Sequence, residues 1–457
     1  MANDTSPSPV DFLHHLNRKS KARHPSPLKN IIRHMGVEGM ISLAGATLDC
    51  LLPSATFSSE SIDTPEDIRS LTLCRGSTPG ELDLTQFLQY GSGAGNTHLL
   101  EKCRALTEKV HAPPGQYDCL LHPGNINAWA KVVGLLCEDN GFVIFEEYTY
   151  PSAQALWIPL GIRAVPVPAD AEGTRASAFR EMMEGWDGRV RGARRPRVEK
   201  RKDIYEICVE LDIIIVEDDP YYFLQYPSYT SSKTTTRSPN QFTPLPTDPF
   251  LKTLIPSFLS LDTQSRVIRL ESFSKALFPG LRLGYFIANP MFIERLLRAT
   301  EVETQDPSGL SQAFVLALLT RWGIAGDWIL DAFHKEFVVV PAEDSPVPGA
   351  QGLVACLRSE TPDSQLRPVF SFVDPSAGMS VWCKFHFGDV TRFLELRDAS
   401  TFTSPSRSAS GAGKVTTSAR GAEAGTAHFR FSFATPTKEQ IFEGVERVAR
   451  VVRRYWG

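Results

Sequence analysis

The sequence predicts an α/β protein in which helices cover a mainly parallel sheet, with a smaller α+β domain attached. Three stretches carry that expectation. Cys119-Leu-Leu-His-Pro-Gly-Asn-Ile-Asn-Ala-Trp-Ala-Lys-Val-Val133 reads as a strand, a glycine turn and a helix. Ile204-Tyr-Glu-Ile-Cys-Val-Glu-Leu211 reads as a helix that runs into the β-branched strand Ile213-Ile-Ile-Val216. Arg266-Val-Ile-Arg-Leu270 reads as a further strand, and the helix Pro290–Ala299 follows it.

Composition narrows the function classes. A chain of 457 residues can bury a large core and fold as two or three subdomains. Its 42% hydrophobic and 22% charged content is ordinary for a globular protein. The net charge of −4, with no basic block, argues against nucleic acid. No apolar run approaches a membrane span, and the N-terminus lacks a hydrophobic signal core. The eight cysteines are scattered, without a Cys-x-x-Cys pair, which suits a reducing cytoplasm and argues against zinc or a disulfide framework. Cys383 reads as a buried strand residue.

Along the chain, residues 1–10 are polar and proline-rich and read as disordered. His14 and His15 lie near Arg18, Lys19, Lys21 and Arg23. A phosphate or metal patch is one reading. An exposed polar helix face is preferred, because no thiol or cluster of acids is nearby, and no metal site is expected. Pro27–His34 reads as a short helix and Met40–Gly45 as a strand ending in glycine. Residues 54–85 are polar and poorly patterned. Gln89-Tyr90-Gly-Ser-Gly-Ala-Gly95 is a backbone-rich loop, and Leu99–His111 an amphipathic helix. The amides opening the helix after Gly124 can hold an anion. Gly141–Glu147 reads as a buried strand with Tyr148-Thr-Tyr-Pro-Ser152 at its carboxyl end, where α/β sheets place ligands. Glu217, Asp218 and Asp219 end another strand, and three adjacent carboxylates there need partners or water. Residues 227–249 read as a surface insertion, Ser308–Trp322 as an apolar helix, and residues 399–425 as a low-complexity segment. Val369–Phe372, Gly378–Phe385 and Phe429–Phe433 read as strands, and Glu439–Trp456 as an amphipathic helix. Arg430, set between aromatics, either faces solvent or meets an anion.

The most specific stretch is Glu271-Ser-Phe-Ser-Lys-Ala-Leu-Phe-Pro-Gly-Leu-Arg-Leu-Gly-Tyr285. It sets one lysine among two hydroxyls and a guanidinium, the groups needed to hold a phosphorylated aldehyde. The string resembles the lysine site of fold-type I pyridoxal 5'-phosphate (PLP) aminotransferases, most closely the fungal aromatic, 2-aminoadipate and kynurenine group. The resemblance runs in patches from about Phe12 to the C-terminus. It implies the PLP-dependent transferase fold type I, with an N-terminal arm (1–46, partly disordered) joining the small domain, a large cofactor-binding domain (47–300) and a small domain (301–457). It implies PLP as cofactor and Lys275 as its covalent anchor and proton carrier. Gly124, Asn125, Ile126, Ser272, Ser274 and Arg282 become phosphate ligands, with Ile126 offering only its amide. Tyr150 stacks on the ring, Asp218 meets the ring nitrogen, and Tyr221 meets the phenolic oxygen. Tyr90 touches the phosphate of a partner subunit, which implies a homodimer. Arg430 clamps the substrate carboxylate, and Gly45 lies against the substrate. The implied reaction is transamination between an aromatic or similarly bulky L-amino acid and a 2-oxo acid. Alternatives are a β-lyase or decarboxylase on the same scaffold, or an inactive remnant that serves as a binding partner.

The sequence departs from the family in three places. Ala46 stands where the family has a second glycine, and residues 335–367 replace a long charged helix. Before Val198 the family carries a strand followed by an Asn-Pro-Thr-Gly loop whose asparagine bonds the cofactor. Here Arg194-Arg-Pro-Arg-Val-Glu-Lys-Arg-Lys202 leads straight into a helix. A central strand and one cofactor ligand are therefore expected to be missing.

Overall fold

The computed structural model describes residues 7–25, 54–58, 70–74, 82–147, 149–170, 173–187, 200–225, 251–252, 254–322, 370–372, 377–378, 380–386, 426–432 and 443. The expected helices at Pro27–His34 and Glu439–Trp456 and the strand at Met40–Gly45 lie outside them, apart from Glu443. The chain divides into two compact units, Met1–Pro220 with Leu245–Ala332, and Tyr221–Pro244 with Phe333–Gly457.

In the first unit a 3-10 turn at Leu13–His15 precedes α1 (Arg18–Lys21), β1 (Ser54–Ser58), β2 (Ser70–Cys74), α2 (Leu84–Phe87) and α3 (Thr97–His111). β3 (Asp118–His122), α4 (Asn125–Leu136), β4 (Phe142–Glu146), α5 (Pro151–Trp157) and β5 (Arg163–Val167) follow. A hairpin of β6 (Ala169–Asp170) and β7 (Gly173–Thr174) leads to α6 (Ala176–Asp187), α7 (Lys200–Glu210) and β8 (Ile215–Asp218). The unit ends with β9 (Val267–Ser272), β10 (Gly284–Ala288), α8 (Pro290–Glu303) and α9 (Gly309–Trp322). Local chemistry sets several helix starts. The Asn96 side chain accepts from the Leu99 amide, and Asn289 accepts from the Met291 amide just before Pro290.

The main sheet has the order β3-β10-β9-β8. β8 and β9 are parallel, while β10 runs antiparallel to both β9 and β3. The sheet is thus mixed: β3, β9 and β8 share one direction and β10 opposes them. The carboxyl ends of β3, β9 and β8 share one edge, and β10 starts at that edge. One face of the sheet buries Leu120, Ile268, Leu270 and Phe286 against Val132 of α4 and Phe292 of α8. Phe12, fully buried, stacks on Phe292 with centroids 5.9 Å apart, so the N-terminal arm is part of this core. Each such side chain contributes about 1.5–3 kcal/mol.

β4 and β5 form a separate two-stranded parallel sheet. Among the described residues, no strand pairs with the outer edge of β8 or with the second edge of β4. Yet Ile144 of β4 and Ile215 of β8 pack on one apolar cluster with Val167, Phe179 and Ile207. Between the described strands, this break falls where the sequence is expected to lack the family's strand. β4 is also less buried than its apolar run suggests: Phe142 is 46% exposed, its ring covered by the Arg163 guanidinium at 3.9 Å. Residues 54–85, which show no pattern in the sequence, contain the antiparallel pair β1–β2. Their polar serine and threonine positions hide the period of two.

The second unit contains β11 (Phe370–Phe372), β12 (Ser380–His386) and β13 (Thr426–Ser432), antiparallel in that order. Cys383 is buried in β12, as its apolar setting suggests.

Candidate active site

The strand ends deliver the chemistry to one edge. β3 is followed by Gly124, whose φ of 91° is open to glycine and strained for other residues. A Cβ there would collide with the Arg282 guanidinium, so the cradle needs both a bare backbone and an arginine. Arg282 Nη1 donates to Ser274 Oγ at 3.2 Å and to the Pro279 carbonyl at 3.1 Å. The Ser274 amide donates to Ser272 Oγ at 3.1 Å. Asn125 and Ile126 open α4, so their amides have no intrahelical acceptor. The structure therefore brings Gly124, Asn125, Ile126, Ser272, Ser274 and Arg282 into one polar cup. A guanidinium, hydroxyls and a helix N-terminus fit a phosphate. Lys275 lies in the turn after β9, between Ser274 and the 3-10 turn Pro279–Leu281.

Asp218, at the end of β8, is held from α4. Asn125 Nδ2 donates to Asp218 Oδ1 at 2.6 Å and Trp129 Nε1 donates to Oδ2 at 2.6 Å. Burial pushes the Asp218 carboxyl up, and those two bonds pull it back. A cationic partner, such as a protonated ring nitrogen, would hold it ionised. Trp129, which holds Asp218, is not among the residues expected from the sequence. Asn125 and Trp129 are four apart on one helix face, so both reach Asp218.

The other two adjacent carboxylates point away. Glu217 pairs with Arg269 (Nη1–Oε2 2.8 Å) and accepts from the Phe258 amide at 2.9 Å. Asp219 lies 3.8 Å from Arg201. Arg269, fully buried, also reaches Glu271 at 2.5 Å, and Glu271 lies 3.1 Å from His111. Alternation along β9 puts this network on the sheet face opposite Leu270 and Asp218. Burial alone would raise the Glu271 carboxyl. The Arg269 guanidinium overrides it and holds the group down at about 2. A lowered carboxylate contributes stability that is complete above its unfolded value near about 4.3. That stability is lost as pH falls toward the folded value. We expect the melting temperature to drop as pH falls from about 5 to about 2, and Glu271→Gln to flatten that drop. Equal acid sensitivity in both proteins would contradict it.

Tyr150 caps α5 and is 50% exposed, which excludes a core role. Tyr90 is 67% exposed, in a loop pinned where the Gly93 amide donates to Asp306 at 2.8 Å. Tyr221 and Arg430 belong to the second unit, where Arg430 sits opposite Trp382 in the β12–β13 ladder. Gly45 lies outside the described residues.

No protein-family model matches the chain. Sequence comparison finds an aromatic amino acid aminotransferase of Schizosaccharomyces pombe, 30% identical over 407 residues, covering 82% of each chain. The chain belongs to the aromatic amino acid aminotransferase family. An L-tyrosine:2-oxoglutarate aminotransferase of Tapinella panuoides is 32% identical over 433 residues, covering 85% of this chain and 77% of the relative. The crystal structure of the aminotransferase Aro8 from Candida albicans superimposes with a TM-score of 0.80 at 28% identity, covering 99% of this chain and 100% of that one. Membership in this aminotransferase family gives the first unit its fold-type I architecture. No helix among the described residues is long and apolar enough to cross a membrane.

Proposed function

We propose that this aminotransferase transfers the amino group of an aromatic L-amino acid to a 2-oxo acid, with 2-oxoglutarate as acceptor, using PLP in the cup at the strand ends. The observation that carries the reading is the convergence of Gly124, Ser272, Ser274 and Arg282 beside Lys275, with the buried Asp218 held by α4. When bound, the pyridoxal ring supplies an electron sink for the substrate α-carbon. The cup binds the phosphate charge: Arg282 by its fork, Ser272 and Ser274 by their hydroxyls, and Asn125 and Ile126 by their amides. Asp218 accepts from the ring nitrogen and keeps it protonated, while Asn125 and Trp129 fix the carboxylate's orientation. Tyr150 covers the ring and Tyr221 donates to its phenolic oxygen. The Lys275 amine would anchor the aldehyde carbon and, once the substrate amine displaces it, would carry the α-proton from the substrate to that carbon. Arg430 binds the substrate carboxylate, and Gly45 lets the backbone approach the substrate.

The working form we propose is a cytoplasmic homodimer in which Tyr90, exposed on the single chain, reaches the partner's phosphate site. The chain is proposed to consist of an arm (1–46), a cofactor domain (47–300) and a small domain (301–457). The test is amino transfer from tyrosine and phenylalanine to 2-oxoglutarate by the purified chain. Transfer that requires added PLP supports the reading, and none with any aromatic donor contradicts it.

Arg430→Ala is expected to raise KM for the amino acid strongly and to leave the cofactor's visible absorbance in place. A charge-assisted bond to a carboxylate contributes about 1.5–3 kcal/mol, roughly ten- to hundredfold in KM. Loss of bound cofactor with unchanged KM would place Arg430 elsewhere.

A further inference from the structure

His14 and His15 stand outside the proposed catalytic machinery. In the sequence their nearest acid is Asp11, whose carboxylate accepts from the Leu13 amide at 2.8 Å, but the fold supplies a second from almost two hundred residues away. His14 Nε2 lies 2.6 Å and His15 Nε2 3.1 Å from Asp212 Oδ2, and the three ligand atoms lie within 4.8 Å of one another. His15 Nε2 is buried and makes no hydrogen bond of acceptable geometry. We propose that His14, His15 and Asp212 form a site for a divalent first-row cation that favours imidazole, such as zinc, and that this ion fastens the N-terminal arm to the turn before β8.

Both halves of the site are rigidly built. The two histidines occupy the 3-10 turn Leu13–His15 between two anchors. On one side, fully buried Phe12 stacks on Phe292. On the other, Asn17 donates from Nδ2 to the carbonyls of Gly134 at 2.9 Å and Cys137 at 2.8 Å. The turn after α7 puts Asp212 in the left-handed region, at φ 54°. Arg266 holds that turn by donating to the carbonyls of Cys208 at 3.0 Å and Ile213 at 2.8 Å. Its Nη2 donates to Gln264 Oε1 at 2.6 Å and lies 3.6 Å from Asp212 Oδ1, while Asp212 Oδ2 is the oxygen near the histidines.

Two nitrogens and one carboxylate oxygen match the three-protein-ligand zinc site, with water as the fourth ligand. Tetrahedral ligation at about 2.0–2.2 Å separates ligand atoms by about 3.3–3.6 Å. The observed separations need to open by less than an ångström at Asp212, and the His14 side chain, 60% exposed, is free to yield. The Arg266 charge lowers cation affinity, so the ion is an exchangeable clamp.

The experiment uses the full chain, stripped with a chelator and titrated with zinc by calorimetry and with cobalt by visible absorption. Asp212→Asn and the double change His14→Gln, His15→Gln serve as comparisons. We expect one equivalent of zinc, tetrahedral cobalt bands and a zinc-dependent rise in melting temperature. Each variant should lose affinity by more than the roughly 10–100-fold that removal of an outer-shell partner causes. Asp212→Asn, an exposed and nearly isosteric change, should match wild type in melting temperature without metal. Absence of saturable binding overturns the site. So does binding that survives in both variants, which would assign the zinc to thiols elsewhere.

Discussion

Lys275→Ala is expected to abolish amino transfer. The side chain serves twice, as the covalent anchor of the aldehyde and as the carrier of the α-proton. A positioned proton carrier alone supplies about 10²–10⁴-fold, so the loss should exceed that range. The bonds from Arg282 to Ser274 and to the Pro279 carbonyl do not pass through the Lys275 side chain. The variant should therefore still bind PLP noncovalently and melt close to wild type. Transamination at an undiminished rate, measured beside wild type, would remove Lys275 from the mechanism.

The second large effect concerns the break in the sheet. Inserting a relative's strand and Asn-Pro-Thr-Gly loop after Pro196 is expected to raise both the melting temperature and the affinity for PLP. The parallel strand β8 and the parallel pair β4–β5 rest on one apolar cluster but belong to separate sheets. Among the described residues, backbone groups along those edges have no partner strand, where a strand of about five residues would give a ladder. Parallel sheets are stable when paired and covered on both faces. The restored asparagine would add a hydrogen bond to a charged oxygen, about 1.5–3 kcal/mol, or roughly ten- to hundredfold in affinity. Equal melting temperature and equal PLP affinity for the two proteins would show that the break has no consequence.

The sequence made much of this legible, for physical reasons that differ by residue. Lys275, Ser272, Ser274 and Arg282 are close in the chain, and one loop between β9 and β10 can bring them together. Gly124 and Asp218 are far from that loop in sequence. Their strands were readable from β-branched and apolar runs, and the shared direction of β3, β8 and β9 places their ends at one edge. The expected loss of a strand falls on residues 188–199, outside the described residues. What stayed hidden depends on long-range contact. Trp129 looks like one more apolar position on α4, and only its bond to Asp218 marks it. The Glu217 carboxylate acquires its partner Arg269 only through the register of β8 and β9. Asp212 meets His14 and His15 only because the arm folds back on the first unit. The antiparallel strand β10 gave no sign of its direction, since direction is set by the loop that precedes it.

Reductive trapping tests the central claim most directly. The purified chain is incubated with PLP, reduced with borohydride, digested, and its modified peptide mapped by mass spectrometry. The account predicts a single pyridoxyl group on Lys275, lost in Lys275→Ala. A reduced cofactor on a different lysine, or none on any, would contradict it.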